Sequence, residues 1–294
     1  MTRTAVRSPV LGTIVELRLD GEDQATAIAE QTAWASFERL EQEFSSYRPD
    51  SLLCRWRSGQ ADCSPDLAAV LRRAAYWYEL SGGAFHPATA ALTARWRQAE
   101  ADGATPSAAE LADLVPALPY RATAEAIEQV ADCSGVELNA IAKGYIVDQA
   151  AAAAATVSGV SAVVINAGGD LRHIGTGSIR VGIEDPARPF DNAPPRWRVP
   201  VTNAALATSG LAHRGFHIGD RRLGHVLDPR TGSPVTHTAS VSVLAPSAMD
   251  ADALATVLGV LTTTEALEFA DRHQLAALLV SDRGDVHRSD AWPG

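Results

Sequence analysis

Apolar residues recur along the chain with two periods, and the places where the period changes mark the elements. Val10 to Leu19 alternates, setting Leu11, Thr13, Val15, Leu17 and Leu19 on one side of a predicted strand. Asp23 to Phe44 changes to helical spacing, with Ala27, Ala33, Trp34, Phe37, Leu40 and Phe44 in one stripe. Ser45 to Asp50 is a loop. Ser64-Pro65 reads as a helix start, an N-cap followed by proline at the first helical position. Leu67, Val70, Leu71, Ala74 and Tyr78 follow at helical spacing until Gly82-Gly83. A further helix is predicted from Pro87 to Ala101, turning Leu92 and Trp96 inward. Gly103 to Pro119 reads as a surface excursion with a short helix near Ala108 to Leu114.

The second half carries most of the predicted strands. Two or three short ones fall in Tyr120 to Leu138, a buried one at Ala162 to Ile165, and a pair at Ile179 to Glu184 and Trp197 to Thr202. The intervening Asp185 to Pro195 is a proline-rich loop. The stretch 222–236 begins as a strand with Leu223, His225 and Leu227 on one face. It stops at Asp228-Pro229, where proline removes a ladder donor, and turns at Thr231-Gly232. Strands at Ala239 to Leu244 and Ala276 to Val280 close the chain. The predicted helices here are Ala142 to Val157, Ala248 to Leu261 and Thr264 to His273. Strands cluster in the middle with helices around them and no regular βα alternation, which predicts an α+β fold. No repeat or long linker divides residues 1–294, so a single domain is expected.

Composition narrows the function classes. The 294 residues are 46% hydrophobic and 20% charged, a globular balance sufficient for a proper core. The formal net charge of -10 argues against a nucleic-acid groove or an anionic membrane as partner. Cys54, Cys63 and Cys133 contain no CxxC pair, which predicts a reducing compartment and no cysteine zinc site. Met1 to Pro9 is polar and no run has the length of a membrane span, so a cytoplasmic location is expected. His173, His213, His217, His237 and His273 have no ligand spacing.

Candidate chemistry gathers in four stretches. Asp252 and Thr256 lie four apart on a predicted helix and share a face. They offer hard oxygen ligands suited to Mg²⁺, or simply a solvated helix face. Ser247 and Asp250 resemble a capping box that fixes this helix start. Lys143-Gly144 opens a helix, where N–H groups and an ammonium attract an anion and glycine lets it approach. Asn166-Ala-Gly-Gly-Asp170 follows an apolar strand, and its two glycines fit a bulge of the kind that re-aims side chains at sites. Thr208-Ser209-Gly210 supplies hydroxyls and N–H groups, for a phosphate or for a turn.

The ordered set resembles the ApbE family, the FAD:protein FMN transferases. It runs through Leu11-Gly12-Thr13, Asn139-Ala-Ile-Ala-Lys-Gly-Tyr-Ile-Val-Asp148, Asn166 to Asp170, Ala207 to Gly210, His225 to Gly232 and Met249 to Thr256, and ends near Leu279. The resemblance implies an ApbE-like fold of central, mostly antiparallel strands with packed helices. It implies Mg²⁺-dependent transfer of FMN from FAD to a Thr or Ser hydroxyl of an acceptor protein, with release of AMP. The metal ligands would be Asp252, Thr256 and a backbone carbonyl near Ala142. Tyr47, Trp56, Lys143, Gly168, Gly169, Asp170, Thr208, Ser209 and His225 would contact FAD. His225 is the expected base, since imidazole titrates near neutral pH, and Asp228 would orient it or support the metal.

Two departures stand out. The family's Asn after the Tyr-x-x-x-Ser segment is Trp56 here, which predicts stacking on the isoalloxazine or the adenine, or a core position. The usual Gly-Gly before Ile-Ala-Lys-Gly is Asn139-Ala140. Water in place of the acceptor would give FAD hydrolysis to FMN and AMP, and a flavin held by Trp56 would give a non-catalytic carrier. The family's acceptor motif is Asp-x-x-(Ser/Thr)-Gly-Ala-(Ser/Thr). Asp228-Pro-Arg-Thr231-Gly-Ser233 imitates it in part, and Pro234 breaks the likeness.

Overall fold

A computed structural model of the chain describes residues 1–188, 193–210 and 215–293. His213 and part of the Asp185 to Pro195 loop lie outside them. The first strand pair is β1 (Thr2–Val10) and β2 (Thr13–Gly21), an antiparallel hairpin. Val15, Leu17 and Leu19 are buried as their alternation requires. β1 was not expected: it is the sheet edge, and its Arg3, Arg7 and Thr4 give it a polar sequence.

β5 (Val160–Ala167), β6 (Asp170–Gly175), β9 (Ala205–Gly210), β12 (Thr238–Ala245), β13 (Ala276–Ser281) and β14 (Val286–Arg288) complete an eight-stranded sheet, ordered β1-β2-β5-β6-β9-β12-β13-β14. Every neighbouring pair is antiparallel. The α+β expectation therefore holds.

One face of the sheet carries the main core. Val163, Ile165, Ala205, Ala207, Val241 and Val243 pack there with α1 (Asp23–Phe44), α6 (Ala142–Ala155) and α7 (Ala248–Val260). On the opposite face, Leu171, Leu206 and Leu278 meet Ile183, Val199 and Val201 of the hairpin β7 (Ile179–Ile183) and β8 (Trp197–Val201). The sheet is thus apolar on both sides. Residues of even and odd parity on β6 and β9 face different cores, and this decides which polar side chains can meet.

A satellite cluster sits beside this framework. α3 (Pro65–Leu80) starts as expected, with the Ser64 hydroxyl accepting the Leu67 N–H. α4 (Ala90–Asp102) and α5 (Ala108–Ala112) supply Leu92, Trp96 and Leu111. These pack on Phe216, Ile218, Leu223 and Leu227 around the hairpin β10 (Gly215–Ile218) and β11 (Arg221–Gly224). The 222–236 stretch is anchored there by the Trp96 indole N–H, which donates to the Gly232 carbonyl at 2.7 Å. The expected strand through Leu227 is cut short: β11 ends at Gly224, and His225 lies just beyond it.

Candidate functional site

α6 and α7 cross where each begins, and sequence dictates how closely. Gly144, in the first turn of α6, faces the backbone of Ala248 at the start of α7. The Asp148 carboxylate accepts the Ala248 and Met249 N–H groups, both at 2.9 Å, and caps α7 from outside. Ser247 caps the same end through the Asp250 N–H. The reciprocal half of the expected capping box is replaced. One Asp250 carboxylate oxygen accepts the Ser247 hydroxyl at 2.9 Å rather than its backbone N–H, and the other binds Arg73 and the Trp77 indole, tying α7 to α3.

This crossing lies over Asp170 of β6. Asp170 pairs in register with Ala207, whose side chain is in the helix-side core, while its successor Leu171 faces the other way. Strand parity therefore turns Asp170 toward α6 and α7. It is 1% exposed, and its carboxylate makes an ion pair with the Lys143 ammonium of α6. The Asp170 and Asp252 carboxyl groups are close enough to influence each other electrostatically. Asp252 also accepts the Gly144 N–H at 3.3 Å. Burial holds both carboxyl groups well above the usual carboxylate range, and their mutual repulsion raises Asp252 further. Lys143 acts in the opposite direction on both.

α7 is not the half-solvated helix that its sequence suggested. Ala251, Ala253 and Ala255 are buried along with Leu254, Val257 and Leu258, so the face bearing Asp252 is enclosed as well. Thr256 is half-buried, and its hydroxyl donates to the Asp252 carbonyl at 3.4 Å. Gly144 serves the helix crossing rather than the approach of a phosphate. Gly168 and Gly169 both have positive φ, 57° and 98°, which glycine alone adopts without strain. The Asn166 side-chain oxygen accepts the Gly169 N–H at 3.3 Å. A Cβ on Gly168 would meet the Thr13 hydroxyl, so the Leu11-Gly12-Thr13 turn closes over this loop. Thr13 belongs to a sequence motif, but nothing in the sequence alone assigns it to the site.

The other expected contacts divide. Ser209 shares the helix-side face with Ala205 and Ala207 and lines a small recess with Val226, Thr238 and Gly259. Thr208 has the other parity: its hydroxyl bonds that of Ser242 at 2.8 Å on the far face, so it does not join the carboxylates. The Asp228 carboxylate receives the Arg230 guanidinium on both oxygens at 2.9 Å, and the Arg230 N–H at 2.9 Å on one of them. It is thereby committed to its own turn rather than to a metal. His225 is half-buried beside this turn. Tyr47 is 89% exposed on the loop before α2 (Leu52–Arg57). Trp56, on α2, is buried, its ring edge-on to Tyr120 at 6.0 Å. The core position is the one observed, and nothing then favours a flavin locked by Trp56.

Comparison with known proteins places this arrangement. The ApbE family model matches residues 11–279. The FAD:protein FMN transferase of Treponema pallidum is 30% identical over 282 residues, 86% of this chain and 77% of that protein. The Haemophilus influenzae protein of the same name is 28% identical, over 96% of this chain and 88% of its own. Among solved structures, the ApbE protein of Thermotoga maritima superposes with a TM-score of 0.84 at 23% identity, covering 99% of this chain and 97% of that one. The flavinyl transferase ApbE of Pseudomonas stutzeri gives 0.81 at 23% identity, covering 99% and 95%. These two likenesses establish the fold, and the match along most of the sequence establishes the lineage: the chain belongs to the ApbE family.

Proposed function

We propose that this protein is an FAD:protein FMN transferase, moving the FMN half of FAD to a Ser or Thr hydroxyl of an acceptor protein. The observation that carries this reading is the convergence of Lys143, Asp170 and Asp252 at the α6–α7 crossing, in a chain of the ApbE family. In the transfer, the acceptor hydroxyl oxygen bonds to the FMN phosphorus and the P–O bond to AMP breaks. The bonding pair leaves with AMP, and the hydroxyl proton goes to a base, for which we assign His225.

The residues fit a Mg²⁺ ion by donor chemistry. Two neighbouring carboxyl groups are kept buried at a cost, and the Thr256 hydroxyl commits its proton to a backbone carbonyl, leaving lone pairs available. The described residues contain no group of three or more His, Cys, Asp and Glu able to hold a metal. Mg²⁺ takes few protein ligands and completes its shell with water and substrate oxygens. Asp252, Thr256 and the Ala142 carbonyl would hold it, with Asp170 alongside. Bound there, the ion would neutralise charge on the pyrophosphate oxygens during phosphoryl transfer.

The chain's own groups supply the rest. Asn166 and Thr13 fix the Gly168-Gly169 loop in a conformation that only glycine adopts freely. Asp228 and Arg230 stiffen the turn beside His225. The acceptor carries a segment of the type Asp-x-x-(Ser/Thr)-Gly-Ala-(Ser/Thr). The test is to incubate the protein with FAD, Mg²⁺ and such a peptide and to weigh the peptide. A gain of one FMN moiety is expected, and it should vanish with EDTA. FMN and AMP appearing without peptide gain would make the protein a hydrolase. Neither change would make it a binder.

A further inference from the structure

Lys143 is the only lysine in the sequence: the remainder of the 25 Lys and Arg residues are arginines. A chain whose other Lys and Arg positions are all arginine has its lysine where a strand carboxylate and a helix carboxylate meet. The two cations differ in a way that bears on this place. Guanidinium is a planar fork suited to fixed bidentate pairing, whereas ammonium is a compact point charge on a flexible stem. Only the ammonium resembles a small metal ion in charge density and in the oxygen ligands it gathers.

We propose that Lys143 is a resident counter-ion that Mg²⁺ displaces from the Asp170–Asp252 pair, so that metal entry hands the ammonium over to the FAD pyrophosphate. The inference rests on the metal site of the proposed function and adds a coupling to it. The ammonium sits on Asp170, which touches Asp252, so a divalent cation at Asp252 brings like charge close to it. The Lys143 side chain is 26% exposed, so its stem already reaches the solvent edge and gives the ammonium a way out. Arg172, the next inward residue of β6, is engaged by Asp148 at 3.4 Å and by that pairing is kept from taking over the role. Lys143 thus pairs with Asp170 before the metal enters and with phosphate oxygens afterwards. Binding of Mg²⁺ and FAD then favour each other, and linkage makes the effect reciprocal.

Two measurements on the FAD-free protein test this. Mg²⁺ alone is titrated calorimetrically into wild type and Lys143→Gln. The variant lacks the competing cation and should bind Mg²⁺ more tightly by about tenfold. The factor by which Mg²⁺ strengthens FAD binding should also shrink in the variant. Equal or weaker Mg²⁺ affinity in a folded Lys143→Gln overturns the proposal, and absence of Mg²⁺ binding in both proteins overturns it together with the metal site. The second measurement needs no variant. Only the N-terminus and Lys143 carry amines, so acetylation of Lys143 is read cleanly by mass spectrometry. Its rate should rise on adding Mg²⁺ and fall again on adding FAD, and a rate indifferent to Mg²⁺ overturns the proposal. Wild type that behaves as expected in both and yet transfers no FMN would sink the transferase reading alone.

Discussion

Gly144 and Ala248 touch backbone to backbone: a Cβ at Gly144 would stand 2.2 Å from the Ala248 carbonyl oxygen and 2.8 Å from the Met249 Cα. Neither neighbour is a side chain that can turn aside. Gly144→Ala should therefore separate α6 from α7, although alanine is by itself the better helix former by about 1 kcal/mol. We expect a net loss of at least about 2 kcal/mol, because overpacking against backbone outweighs propensity. Asp252 loses its Gly144 N–H in the same movement, so Mg²⁺ affinity should fall with stability. Thermal unfolding and Mg²⁺ titration check both. A variant as stable as wild type would mean that the crossing is looser than it stands here.

Trp56→Asn separates the two roles that the sequence left open for this position. The indole is 3% exposed and lies edge-on to Tyr120. Replacing it with an amide removes core contacts and buries a polar group, for an expected loss of about 3–5 kcal/mol. FAD affinity of the molecules that remain folded should be unchanged. A variant of unaltered stability with altered FAD affinity would show that Trp56 reaches the flavin.

Much of the framework was legible in the chain, and what was not has physical causes. α1 and the start of α3 are bounded by signals that act locally: a broad apolar stripe, and a Ser-Pro cap. The edge strand β1 has no such signal, because one side of an edge is solvated and its sequence reads as polar. α7 misleads for a different reason. Alanines on its polar-looking face are as buried as the leucines opposite, and small residues do not announce which side faces protein. Thr208 and Ser209 are neighbours in sequence and therefore opposed in a strand, so at most one could face Asp170. Parity was readable once the strand was known. The pairing of Asp170 with Asp252 was not, because it joins a strand and a helix that only the tertiary fold brings together.

His86 gives the fold a dependence on pH. It is buried, its Nδ1 accepts the Ala88 N–H at 3.0 Å, and its ring lies edge-on to Tyr78 at 4.8 Å. Burial pushes its pKa down to about 4. Between that value and the ordinary one near 6.5, the unfolded chain takes up a proton that the native protein refuses. The contribution is fully present above about pH 6.5 and is lost as pH falls toward 4, amounting to about 3 kcal/mol at most. Carboxylates titrate in the same window, so the informative quantity is a difference. Urea unfolding of wild type and His86→Gln from pH 7 to 4.5 should give a steeper loss in wild type. Parallel curves would mean that His86 is protonated in the native state as readily as in the unfolded one.

His225 is the residue on which the assigned chemistry depends most. Had the strand run on through Leu227, His225 would have shared a face with two buried leucines and served packing. The strand ends at Gly224 instead, which frees His225 from strand parity and sets it beside the Asp228–Arg230 turn. Asp228 is a poor substitute as base, because Arg230 occupies both of its oxygens. His225→Gln should therefore keep FAD and Mg²⁺ binding and lose transfer by roughly 10²–10⁴, the usual cost of removing a general base. The residual rate should also lose the pH dependence that a general base contributes. Asp228→Asn is the companion variant: it weakens the turn, so stability and activity should decline together and the pH profile should keep its shape. Stability, FAD affinity and transfer rate measured on one preparation of each variant separate the two patterns. A stable, FAD-binding His225→Gln with wild-type transfer would remove His225 from the mechanism and send the search for the base to the acceptor protein itself.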